Sequence, residues 1–230
     1  MIAKLASLLS LILPFHCGAD YKTVEFRASQ AGFYEAKVSY LKYADNHPLA
    51  SIINPALRSI VTKSHLAWVK NAKGAVKELG KPTSPWEQEI SVETARSTPR
   101  LVSLIIATYD YSGGAHPNHG VQTMNFGFVA GKPKQLSLSD FFAPGFDGRS
   151  HVSKLIIERL KQTEGADWVK EGQVTSLDTK MAERFVVNAD GLTWNFNPYE
   201  VGPYASGDFE VKLTLSQLGP KFKRSLLLAR

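Results

Sequence analysis

The stretch "RLVSLIIATYDYSGGAHPNHGVQTMNFGFVAGKP", Arg100 to Pro133, restricts the fold more than any other part of the chain. Its first arm, Leu101 to Tyr111, is nearly all apolar, as a strand covered on both faces is, so it belongs at the centre of a sheet. The second arm alternates, with Met124, Phe126 and Phe128 on one face, and stops at a turn on Gly131. Between the arms lie Gly113 and Gly114, the residue type that takes positive backbone angles without strain. The arms are therefore expected to form an antiparallel hairpin whose tip carries "SGGAHPNHG". His116 and His119 stand three residues apart in that tip and raise the question of a metal or catalytic site.

The flanking segments extend this sheet. "YKTVEFRASQAGFYEAKVSYLKYA" alternates in places (Val24, Phe26; Ala36, Val38, Tyr40) and reads as two strands around Gly32. From Leu49 to Trp68, apolar residues fall at the three- and four-residue spacings of one helical face, and the helix should run to about Ala75. Its start is open: Pro48 opens it and Pro55 kinks it, or Asn54 caps a helix whose first residue is Pro55. "WEQEISVETARST" is a further strand, and Ser150 to Gln162 is a second helix. "RFVVNADGLTWNF" reads as a hairpin with Asp190-Gly191 as its turn pair. "FEVKLTLSQL" is a last strand before a short terminal helix.

Strands and helices are clustered and do not alternate strictly, which favours an α+β fold: mostly antiparallel sheet with two main helices packed on it. We expect two halves, residues 20–100 and 101–230, intimately packed after a leader at 1–19.

That leader, "MIAKLASLLSLILPFHCGA", has one basic residue and an apolar run too short to span a bilayer. Small residues at Cys17 and Ala19 place cleavage after Ala19 and export to the periplasm or medium. The alternative is a lipoprotein with Cys17 lipidated, against which Pro14, Phe15 and His16 stand. Cleavage removes the only cysteine, and at this length a core needs no disulfides. It leaves 26 basic against 21 acidic residues, a net charge of +5. No later segment has the pattern of a transmembrane helix. Export, and the lack of interleaved basic and aromatic residues, argue against a nucleic-acid partner.

Three segments carry a resemblance. They are "YDYSGGAHPNHG", "MNFGFVAGKPKQLSLSDFF" and the closing "FVVNADGLTWNFNPYEVGPYASGDFEVKLTLSQL". Together they resemble the RsiV-like family (domain of unknown function 3298), the extracytoplasmic part of a lysozyme-sensing anti-sigma factor. "AKVSYLKYADNHPLASIINPALRSIV" resembles the smaller PdaC-type domain (domain of unknown function 4163-like) that precedes it, also found in peptidoglycan deacetylases. The resemblance implies fold and location more than activity. Anti-sigma members add a transmembrane helix and a cytoplasmic domain, and the deacetylases add a separate catalytic domain. Neither is read in these residues, so we expect a non-enzymatic envelope module binding a cell-wall glycan or an envelope protein. Lysozyme fits poorly, because two basic proteins repel.

The chemistry-bearing residues are weighed against that expectation. Pro117 excludes a regular helix through His116 and His119, so the zinc-binding helical presentation is unavailable. A zinc site needs three or four ligands, and Asp110, on the strand itself, is the one nearby acid. His47, His65 and His151 are not brought near by any spacing. We therefore expect no metal and no cofactor, with His116 bonding backbone and holding the hairpin shut. Glu200, among Tyr199, Tyr204 and Trp194, is either an acid/base with a raised pKa or part of a sugar-binding groove, or it braces a Pro-rich loop. No Gly-x-Ser-x-Gly elbow supports a serine nucleophile. The candidate ligand-binding residues are His116, His119, Asp110, Tyr199, Glu200 and Tyr204. The competing reading is a metal-dependent or acid/base hydrolase of cell-wall glycan or peptide built on His116, His119 and Glu200.

Overall fold

A computed structural model describes residues 20–228. The expected leader, Cys17 included, lies outside the described residues. The chain starts with β1 (Tyr21–Gln30) and β2 (Tyr34–Tyr43), an antiparallel pair turning at Gly32 with φ +76°. α1 (Ala50–Leu79) then carries the chain back across the sheet to β3 (Trp86–Thr98), which runs parallel to β2. β4 (Leu101–Tyr111), β5 (Asn118–Val129) and β6 (Lys132–Leu136) follow as an antiparallel meander. Six strands thus form one sheet in sequence order. Residue 100, where the sequence reading divides the halves, lies in the turn between two strands of this sheet.

The helical spacing in α1 buries Ile53, Leu57 and Val61 against Val38, Ile90, Leu104 and Ile106. α1 begins at Ala50, past Pro48, so Pro55 sits inside it. Asn54 is not its cap. Its side chain accepts from Tyr43 N at 2.8 Å and donates to Tyr43 O at 2.9 Å, pinning the helix to the end of β2.

The second layer begins with a 3₁₀ turn, Leu138–Phe141, closed by a reciprocal Ser137–Asp140 capping box. α2 (Gly148–Leu160) and two single turns, α3 (Asp167–Lys170) and α4 (Thr179–Glu183), lead to a three-stranded antiparallel sheet. Its strands are β7 (Phe185–Val187), β8 (Gly191–Phe196) and β9 (Phe209–Thr214), followed by α5 (Leu215–Leu218) and α6 (Ser225–Leu228). The fold is α+β, with α1 and α2 as its two main helices. No helix among the described residues is long and apolar enough to cross a membrane.

β4 explains why its sequence is apolar throughout. Val102, Leu104 and Ile106 face α1, while Leu101 joins the core of Phe141, Ile156, Phe185 and Trp194 in the second layer. Ser103, on that same second face, forms a buried polar joint. Its hydroxyl donates to Asn125 Oδ1 at 2.7 Å and accepts from Val187 N at 2.9 Å, and Asn125 Nδ2 donates to Phe185 O. The two sheets are bonded through this joint.

One turn differs from expectation. Asp190-Gly191 reads locally as a hairpin pair, but Gly191 has no positive φ and already belongs to β8. Asn188 N–H bonds Gly191 O to close the turn. A Cβ on Gly191 would lie 2.1 Å from the carbonyl oxygen of Leu213, so glycine is needed there for the close approach of β9.

Candidate functional site: a row of rings over the hairpin tip

Gly113 and Gly114, at φ +86° and +111°, turn the chain at the end of β4. Beyond them the tip meets the loop between β8 and β9, residues 197–208. Asn197 fastens the two: its Oδ1 accepts from Val121 N at 2.7 Å and its Nδ2 donates to Val121 O at 3.3 Å. The amide side chain thereby substitutes for a strand residue on β5. Asn197 lies directly over Gly120, where a Cβ would stand in ordinary contact, 3.4 Å from its amide.

With the loop held, Tyr204 comes to rest on the tip. Its hydroxyl donates to Pro117 O at 2.8 Å and stands 3.4 Å from His119 Nδ1. The His116 ring stacks on Tyr204, centroids 4.0 Å apart and planes 22° apart. Partial burial, then Asp208 and Tyr199, push the Tyr204 phenol above its ordinary value, so it stays a donor. Its other neighbour is Tyr199 at 5.8 Å, and Tyr199 in turn faces Trp168 at 6.4 Å and 27°. Trp168, Tyr199, Tyr204 and His116 form a continuous row of rings. Tyr199 is 53% exposed and takes φ +66°, the left-handed region, where a residue with a side chain is strained.

The other candidates divide. His119 joins the site, with Nε2 2.7 Å from Asp208 Oδ1, both side chains exposed. Asp110 stays on β4 and accepts from Asn118 Nδ2 at 3.4 Å, apart from the rings. Glu200 pairs with Arg184 and accepts from Asn197 N at 2.8 Å, with only 20% of its side chain exposed. Its acceptors brace the loop. His116 bonds backbone as expected, its Nδ1 2.9 Å from the carbonyl of the next residue, Pro117, a bond that does not span the two arms, while its ring stacks in the row. The remaining described histidines are engaged elsewhere. His65 bonds Gln88, His47 accepts from Leu49 N, and His151 lies against Phe142 and Phe146. Among the described residues no three His, Cys, Asp or Glu side chains converge on a point fit for a metal.

Sequence reasoning missed Trp168, Asn197 and Asp208. The Gly207-Asp208 pair at the end of the Pro-Tyr-Glu loop was the available signal for Asp208; Trp168 carried none beyond its size.

Two family models match separate segments of the chain, and the first runs past residue 100 to take in the hairpin tip. The profile described as "Deacetylase PdaC" matches residues 28–119, and that described as "Protein of unknown function (DUF3298)" matches residues 139–216. Residues 28–119 thus resemble a PdaC-type domain and residues 139–216 a DUF3298 domain, each over less than half of the chain. Both parts of the resemblance read from the sequence are thereby borne out. The chain is 25% identical over 182 residues to the peptidoglycan-N-acetylmuramic acid deacetylase PdaC of Bacillus subtilis (strain 168). That match takes 76% of this chain and 38% of the relative's length. Among solved structures it resembles a DUF3298 family protein from Pseudomonas aeruginosa PAO1, with TM-score 0.62 and 19% identity over 91% of this chain and 96% of the other. A Bacteroides fragilis NCTC 9343 member is more distant, with TM-score 0.53 and 15% identity over 88% and 94%. The ring row is built across both domains. His116 and His119 end the PdaC-type segment, and Trp168, Tyr199, Tyr204 and Asp208 belong to the DUF3298 segment.

Proposed function

We propose that this chain is an extracytoplasmic, non-enzymatic module that binds a cell-wall glycan along the row Trp168, Tyr199, Tyr204 and His116. Tyr199 carries the reading. An exposed aromatic residue held in the left-handed region costs roughly 1–2 kcal/mol and persists only where its surroundings impose it. Rings in a row, with Tyr199 and His116 exposed and Trp168 and Tyr204 half-buried, suit the apolar faces of pyranose rings, and phenol and imidazole edges suit their hydroxyls. Glu200, spent on Arg184 and Asn197, is poorly placed to serve as an acid or base. A relative whose name gives peptidoglycan as its substrate supports a cell-wall ligand and an extracytoplasmic location.

Retention of the full chain on insoluble peptidoglycan tests the proposal. The native chain should be retained, and Trp168→Ala with Tyr199→Ala should lose at least about tenfold in affinity. Equal retention of both, or equal retention on cellulose, overturns it.

One observation favours the hydrolase reading: the His119–Asp208 pair, with the Tyr204 hydroxyl at the other imidazole nitrogen, has the arrangement of an oriented general base. Release of soluble product from peptidoglycan, abolished by His119→Ala, would replace the binding reading with this one.

A further inference from the structure

A second surface lies on the first sheet, away from the rings. An open groove of about 850 Å³ runs between α1 and the β1–β2 pair. Lys22, Lys42, Arg58 and Lys63 line it, together with Tyr40 and Thr62, and no carboxylate does. Lys22 and Lys42 stand directly opposite each other in the β1–β2 register, an arrangement of like charges that destabilises a sheet. Val24 and Tyr40, two residues along, share their face. On the opposite face the same two strands neutralise their cations: Arg27 pairs with Glu35, and Lys37 with Glu89. The four groove cations are exposed and make no such pair among the described residues.

We propose that this groove binds an acidic polysaccharide, a chain of pyranose units bearing carboxylates. Charge complementarity selects the anion. The spread of cations over two strands and a helix suits charges repeated along a chain better than one small ion. Thr62 offers a hydroxyl, and the half-buried Tyr40 a partly exposed ring edge, to sugar hydroxyls. A nucleic acid fits less well, because one ring, packed edge-on against Phe26, gives no ladder for stacked bases. The groove is distinct from the ring row. Glu35 is level with Glu87, which is level with Tyr111 at the hairpin tip, and Lys42 lies seven residues farther along β2, about 23 Å away.

Titration of the full chain with oligogalacturonate, maltooligosaccharide and a 15-nucleotide oligothymidylate tests this. Lys42→Glu with Arg58→Glu is compared with Lys70→Glu with Lys73→Glu, an equal change of charge on exposed α1 residues outside the groove. The native chain should bind oligogalacturonate and not maltooligosaccharide. The groove pair should weaken it at least about tenfold, and the control pair less than about threefold. Should the groove pair fail to fold, Lys22→Ala with Lys63→Ala replaces it, with the same ordering expected. Equal losses in groove and control variants overturn the proposal, as do absent binding, equal binding of the neutral sugar, or tighter binding of the oligonucleotide. Trp168→Ala should leave this affinity unchanged, which separates the outcome from that of the ring row.

Discussion

Tyr199 and Glu200 are neighbours with opposite assignments. Glu200 is turned inward to Arg184 and Asn197, and its worth is to the loop. Tyr199 is turned outward at positive φ, and in the proposed binding mode its ring meets the ligand. Replacing Tyr199 with glycine relieves about 1–2 kcal/mol of backbone strain and forfeits ring contacts of about 0.5–1.5 kcal/mol each. Tyr199→Gly should therefore melt within a few degrees of the native chain while losing its retention on peptidoglycan. A fall of ten degrees would mean that Tyr199 serves the fold. From sequence alone, both residues are one motif, Pro-Tyr-Glu. Which of them is spent internally depends on Arg184, which no spacing links to the loop.

Among the elements, α1 and the loop leading to it are sensitive to pH through His47. Its ring is 6% exposed against Tyr43, and its Nδ1 accepts the Leu49 amide just before the helix. Burial holds its pKa below the ordinary 6.5, opposed by Asp20 and then by the Thr98 backbone. The folded chain thus prefers neutral imidazole, and the unfolded chain takes up the proton more readily. Stability from this group is present above the ordinary value and is lost as pH falls through the depressed folded value. Melting midpoints should drop between pH 7 and 5, and His47→Gln should flatten that drop; a parallel profile contradicts the assignment. The elements themselves were largely legible, because alternation in β2 and β5 and the α1 spacing record which face is buried. The start of α1 and the role of Gly191 were not legible. Asn54 is explained by the β2 backbone, and Gly191 by β9, both distant in sequence.

At the scale of the whole molecule, the two sheets are joined through Ser103, Asn125, Val187 and Phe185. Ser103→Ala leaves the Val187 amide and Asn125 Oδ1 buried without that partner, costing roughly 2–4 kcal/mol. For a chain of this size that lowers the melting midpoint by about 5–15 °C in one transition; a shift under two degrees would mean that the joint carries no load. The same union builds the candidate site. His116 and His119 were legible as signature residues, and Tyr199 and Tyr204 as loop aromatics. Their meeting, and the pairing of His119 with Asp208 eighty-nine positions away, are products of packing that local pattern does not encode. The most direct test of the ring row is nuclear magnetic resonance of the full chain titrated with a soluble peptidoglycan glycan fragment. The account predicts progressive shifts of the Trp168 indole and of the Tyr199, Tyr204 and His116 ring signals, with the α1 amides unmoved. Shifts centred elsewhere, or none at saturating glycan, would contradict it.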